Sequence, residues 1–146
     1  MTATAFDTLL SNHQGGVWFA PSMDAKKAKA AAKKAKYAFF HVEGKTVQRK
    51  EQLMNALATA LHLPEDFGHN WDALEECLID LEWVDGEGYV LVYEHIDPLA
   101  EAHPDQLATL LEILKDAVDS WKEDDTALIV ILTGAKAPKG VPALAA

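Results

Sequence analysis

Asp72, Glu76 and Asp80 recur at i, i+4 and i+8 within Trp71-Asp72-Ala73-Leu74-Glu75-Glu76-Cys77-Leu78-Ile79-Asp80, so a helix through them carries three carboxylates on one face. Trp71, Leu74, Leu78 and Leu81 fall on the opposite face at the spacing of a core-facing stripe. Like charges four residues apart repel, and of the three only Asp72, in the first turn, gains from the helix dipole. Two readings of the spacing stand: a solvated polar face, or an anionic surface for a cationic partner. An acid–base enzyme built on Asp72, Glu76 and His69 is not expected, because no nucleophile, metal set or apolar pocket accompanies them to shift a pKa.

Other strings with chemical overtones fail on their surroundings. Gly44-Lys45-Thr46 has the ending of a phosphate-binding loop, but Phe39 stands where such a loop needs its first glycine. Asp66-Phe67-Gly68 spells a kinase metal-binding tripeptide without the glycine-rich and catalytic-loop motifs that give it meaning. The histidines (13, 41, 62, 69, 95 and 103) show no ligand-like pairing, and the single cysteine, Cys77, cannot join a multi-cysteine zinc set. No metal and no cofactor is expected. Cys77, beside the apolar stripe, is expected to be a buried structural thiol rather than a nucleophile.

The elements that must position these residues follow from composition and periodicity. The 146 residues carry 13 Lys plus Arg against 23 Asp plus Glu, a net charge of -10, which argues against a nucleic-acid binder and for a basic partner. With 49% hydrophobic residues the chain suits one domain with a packed core. A lone cysteine, no signal-peptide pattern and no apolar run of membrane-spanning length predict a soluble, cytoplasmic protein. Charge is uneven: residues 24–36 hold six lysines against Asp24, net +5, while 37–133 sum to -16, so the two parts could attract each other.

Val17-Trp18-Phe19-Ala20 has strand composition after the breaker Gln14-Gly15-Gly16. Asp24 to Lys36 reads as an Ala/Lys helix with Ser22 as its cap, and Tyr37 to Val42 as a buried strand. Arg49 to Leu63 is helical up to Pro64, and Asn70 caps a helix reaching about Leu81. Tyr89 to Tyr93 is a strand, and Asp105 to Trp121 a long helix with Leu107, Leu110, Leu111, Leu114 and Val118 inward. Ala127 to Leu132, apolar throughout, should be a central strand of a parallel sheet. This alternation predicts an α/β sandwich of two or three layers with a mainly parallel sheet. Residues 1–36 form an N-terminal extension packed on a domain at 37–133, and 134–146 a flexible Ala/Pro tail.

The pattern Leu63-Pro64-Glu65-Asp66-Phe67-Gly68-His69-Asn70-Trp71-Asp72-Ala73-Leu74 resembles the signature of the barstar family of ribonuclease inhibitors. The resemblance runs from Glu43-Gly44 through the acidic helix and resumes at the Tyr89 strand, the long helix and the Ile129-Val130-Ile131-Leu132 strand, leaving residues 1–36 outside. It implies a three-stranded parallel sheet flanked by helices, to which the extension would add a helix and a fourth edge strand through Val17-Trp18-Phe19.

What the resemblance implies for function is a non-catalytic inhibitor or immunity protein of bacterial type that plugs the cationic active site of a barnase-type ribonuclease or ribonuclease-type toxin. Carboxylates on a helix would stand in for RNA phosphate, since Arg, Lys and His that hold phosphate pair equally with carboxylate. The main anionic contacts carry over to Asp72 and Glu76, the latter a Glu where the family's type member has Asp. Phe67, Gly68, Asn70 and Asp80 complete the contact region. An aromatic contact before Phe67 is here Asp66, and a helix Trp contact is here Glu75. A further Trp beyond the helix is matched only by Trp83, across a loop shift, and a peripheral acidic contact falls on Asp116. No nucleic acid, no membrane and a free monomer are expected. The alternative is an adaptor of the same fold that binds another basic protein or nucleoprotein without inhibiting a ribonuclease.

Overall fold

Tyr89 to Tyr93 and Ala127 to Leu132 have no polar face, so each must be covered on two sides. The computed structural model describes residues 5–64, 67–80 and 87–144 and supplies both covers. Along the chain come α1 (Ala5–Ser11), β1 (Gly16–Phe19), α2 (Ala25–Lys34), β2 (Ala38–Glu43), α3 (Lys50–Leu61), α4 (Trp71–Ile79), β3 (Gly88–Glu94), α5 (Asp97–Ala102), α6 (Pro104–Glu123) and β4 (Ala127–Leu132). The strands form one sheet in the order β1-β4-β3-β2, parallel throughout, with Val90 level with Phe39 on one side and Ile129 on the other.

Strand alternation sorts the core into two layers. Tyr89, Leu91 and Tyr93 join Leu128, Val130 and Leu132 on the face covered by α3, α4, α5 and α6. Val90, Val92, Ile129 and Ile131 meet Phe6, Leu9 and Leu10 of α1 and Ala28 and Ala32 of α2 on the other. The architecture is a three-layer α/β sandwich. Crossovers between parallel strands keep one hand. From β2 to β3 to β4 the chain steps across the sheet in one direction, while from β1 to β2 it travels back across the whole sheet. Keeping the hand therefore puts α2 on the face opposite α3 to α6.

The fourth edge strand expected through Val17-Trp18-Phe19 is β1, beside β4, and β4 is thereby central as its composition demanded. Several other details differ from expectation. The first fifteen residues contain α1, whose Phe6, Leu9 and Leu10 are buried and whose end is held by the Tyr37 hydroxyl donating to the Leu10 carbonyl at 2.9 Å. Burial, with the nearby Glu87 charge, pushes the Tyr37 phenol above its ordinary pKa. α2 is capped by Asp24, which accepts from the Lys26 N–H at 2.8 Å, and not by Ser22. α5, opened by Pro98 at its first turn, was not apparent from the sequence. The tail expected to be loose docks on β1: the Phe19 N–H donates to the Pro142 carbonyl at 2.9 Å, and the Leu144 N–H donates to the Phe19 carbonyl at 2.8 Å. Among the described residues no helix is long and apolar enough to cross a membrane.

Candidate functional site: an anionic surface helix

The turn before α4 sets the direction of the helix. Phe67, expected in the contact region, is buried in the main core, and its ring anchors the turn. The His69 ring stacks obliquely on it, centroids 4.8 Å apart, and His69 itself takes a left-handed backbone with φ 52. A side chain at Gly68 would come within 3.0 Å of the Asn70 amide, which needs that space to cap the helix. Asn70 Oδ1 accepts from the Ala73 N–H at 2.8 Å, satisfying one of the donors that a helix start leaves free.

Packing then fixes the rotation of α4. Leu74 and Leu78 are 0% and 1% exposed, and Trp71 packs partly buried against the same core with the Lys50 ammonium 5.8 Å from its ring centre. The indole N–H of Trp121, near the end of α6, donates to the Leu78 carbonyl at 2.8 Å, tying the last turn of α4 to the long helix. Cys77, expected to be buried, is half-buried and packs on the core margin. Trp121 is the positioning residue that sequence reading missed; its indole, closing the inward stripe of the long helix, was the available signal.

With the apolar stripe turned in, Asp72, Glu76 and Asp80 are turned out and exposed, and Glu75 sits half-buried on the flank. Asp72 and Glu76 are separated by about 6 Å along the axis, one helical turn. Asp80 is the C-cap rather than part of the helix, which ends at Ile79, the large apolar side chain left exposed among the described residues. Asp116 is exposed on α6, the helix packed against α4. Among the described residues none of Asp72, Glu75, Glu76, Asp80 and Asp116 forms an ion pair within 4.0 Å. Asp66, Trp83 and Leu81 lie outside the described residues. Among the described residues no cluster of three or more His, Cys, Asp or Glu is arranged to hold a metal ion.

The lysines of α2 do not neutralise these carboxylates. Lys26, Lys27, Lys29, Lys33 and Lys34 are exposed on the other face of the sheet, behind the layer of β-strands. Among the described residues no ion pair within 4.0 Å joins a lysine of α2 to an acid of residues 37–133, although α2 packs on the sheet through its alanines.

Fold and helix together define an α/β sandwich that displays an anionic, apolar-anchored helix. The chain belongs to the barstar family: the family described as Barstar (barnase inhibitor) matches residues 37–133, more than half of the chain. No curated protein matches it. Among solved structures it is similar to the ORC2 protein of Aeropyrum pernix in ADPNP–ADP complexes, with 13% identity, a TM-score of 0.61 and coverage of 90% of this chain and 39% of that one. It is also similar to a chain of Drosophila ORC bound to DNA, with 10% identity, a TM-score of 0.45 and coverage of 90% and 73%. The chain spans well under half of the ORC2 chain, and at this identity the likeness is one of fold alone. The family match begins at residue 37, so α1, β1 and α2 are additions to the part it covers.

Proposed function

We propose that this chain is a non-catalytic inhibitor or immunity protein that occupies the cationic active site of a ribonuclease with Asp72 and Glu76. The observation that carries the reading is a helix locked in place by Asn70, Leu74, Leu78 and Trp121 that holds out carboxylates with no ion pair within 4.0 Å among the described residues. A ribonuclease binds phosphate with Arg, Lys and His; carboxylates one turn apart meet those groups through charge-assisted hydrogen bonds, and Arg can bind bidentately. Because the helix is already ordered in the free protein, little entropy is lost on docking. Glu75, Asp80 and Asp116 extend the negative field and speed encounter with a basic protein, an effect that salt should screen. Glu76 reaches one methylene further than an Asp would, so the cognate site is deeper or set back at that position. Asp66 and Glu75, where the family resemblance leads one to expect aromatic residues, shift recognition from apolar anchoring towards charge.

The test is inhibition of RNA cleavage by small basic ribonucleases captured from the source cells and their medium. The native chain should block cleavage at equimolar ratio, and the Asp72→Lys, Glu76→Lys double variant should not, while its melting temperature stays within the small range usual for exposed substitutions. Undiminished inhibition by the double variant would refute the site. Capture of a basic partner without ribonuclease activity would favour the adaptor reading instead.

A further inference from the structure

β2 is an edge strand, and its main chain can be followed residue by residue. Gly44, directly after β2, donates its N–H to the Glu94 carbonyl at 2.7 Å, and the pairing keeps Glu43 level with Glu94. In a parallel ladder alternate residues face the neighbour, so Ala38, Phe40 and Val42 turn their backbone groups towards β3 with Gly44. Phe39, His41 and Glu43 turn theirs away from the sheet, and among the described residues no group bonds those outward N–H and C=O groups. The far edge of the same sheet is treated differently: the tail lies along β1 and forms a parallel bridge between Phe19 and Ala143.

An open groove of about 600 Å³ follows the β2 edge, and its two walls differ in chemistry. On the α2 side stand Lys26 and Lys29 above Phe39 and His41; on the α3 side stand Phe40 and Ala60. The groove also contains two carboxylates, and both are engaged. Glu94 Oε1 lies 2.5 Å from His41 Nε2, and Asp24 accepts the Lys26 N–H as the cap of α2. Lys26 and Lys29 themselves form no ion pair within 4.0 Å among the described residues.

We propose that this edge is a docking site for an extended segment of a partner protein in which acidic and apolar residues alternate, added to the sheet as a fifth strand. Backbone groups of Phe39, His41 and Glu43 would bond the segment, as edge strands do when they accept a peptide. Successive side chains of a strand point to opposite faces. The acidic ones would meet Lys26 and Lys29, and the apolar ones Phe40 and Ala60. The six residues of β2 set the length of the segment at about six residues, roughly 20 Å. The site is on a different element from Asp72 and Glu76 and takes a partner of the opposite charge, so it stands or falls independently of the ribonuclease reading.

The test uses the full chain and an end-capped hexapeptide of alternating glutamate and valine, with a lysine–valine hexapeptide as control. NMR titration should show saturable binding of the acidic peptide, at least roughly tenfold tighter than the basic one. Amide exchange at Phe39, His41 and Glu43 should slow on binding by a similar factor or more. Lys26→Glu with Lys29→Glu, both exposed, should weaken binding at least roughly tenfold, and Asp72→Lys with Glu76→Lys should leave it no weaker. No saturable binding, equal binding of the two peptides, binding that leaves the three amides unprotected, or binding indifferent to the lysine reversal would each overturn the proposal.

Discussion

α4 and α2 lie on opposite faces of one sheet, carry opposite charge, and are held by opposite means. α4 contains Trp, Cys and Ile, only moderate helix formers, and depends on its side chains: Leu74 and Leu78 are buried to 1% exposure or less, and Asn70 caps its start. α2 is wholly Ala and Lys, whose propensity favours the helix before any packing, and it meets the sheet through Ala28 and Ala32, 1% and 0% exposed. Large apolar residues fix the rotation of a helix about its axis; alanines let it approach closely but grip little. The carboxylates of α4 are therefore displayed in a defined direction, as recognition of a shaped cationic site requires. The lysines of α2 present a broad charged wall to the β2 edge, which suits an extended chain whose own backbone supplies the register.

Substitutions can break this comparison at either helix. Leu78→Ala should cost about 2–5 kcal/mol, because a fully buried isopropyl group is lost and a cavity left where α4 meets α6; urea unfolding measures it, and a cost near zero would mean that α4 is not anchored as described. Ala32→Leu should cost about 1–3 kcal/mol by forcing bulk between α2 and the sheet, read as a lowered thermal midpoint. If Ala32→Leu stabilises the protein, the close approach of α2 is wrong. Asn70→Ala should cost about 1 kcal/mol through loss of the helix cap, and the same variant should weaken inhibition in proportion, since the cap fixes the turn from which Asp72 projects.

The smallest effect concerns pH. Burial pushes the Glu43 carboxyl up, but the His95 ring 2.7 Å away, by hydrogen bond and charge, and the Lys45 N–H and ammonium outweigh it, so Glu43 is held below the ordinary carboxylate range. A group with a depressed folded-state pKa stabilises the protein above its unfolded pKa and loses that contribution as pH falls. Glu43→Gln should therefore flatten the fall in the urea midpoint on acidification and lower the midpoint slightly at neutral pH. An unchanged acid profile would show that the His95 contact contributes nothing to stability.

Much of this organisation was legible in local pattern. The Leu74 and Leu78 stripe and the inward face of α6 follow from a period of 3.6, the Asn70 cap from its side-chain oxygen, and the central place of β4 from an apolar run without alternation, all of them set among neighbouring residues. α1 was legible only in retrospect: Phe6, Leu9 and Leu10 have helical spacing, but seven residues are too few to fold without the sheet beneath them. Phe67 looked like a contact residue by its place in the motif, and only its burial shows it to be an anchor.

The sequence alone determined all four strands and the helices other than α1 and α5, which face of α4 and α6 is apolar, and that Asp72 and Glu76 share one side, because these are properties of a chain over a few turns. Only the tertiary structure decided that β1 pairs with β4, that the tail bridges to one sheet edge while β2 lies at the other, and that the lysines of α2 and the carboxylates of α4 lie on opposite faces of the sheet. Strand order and the hand of the crossovers join residues far apart in the chain, and no local period encodes them.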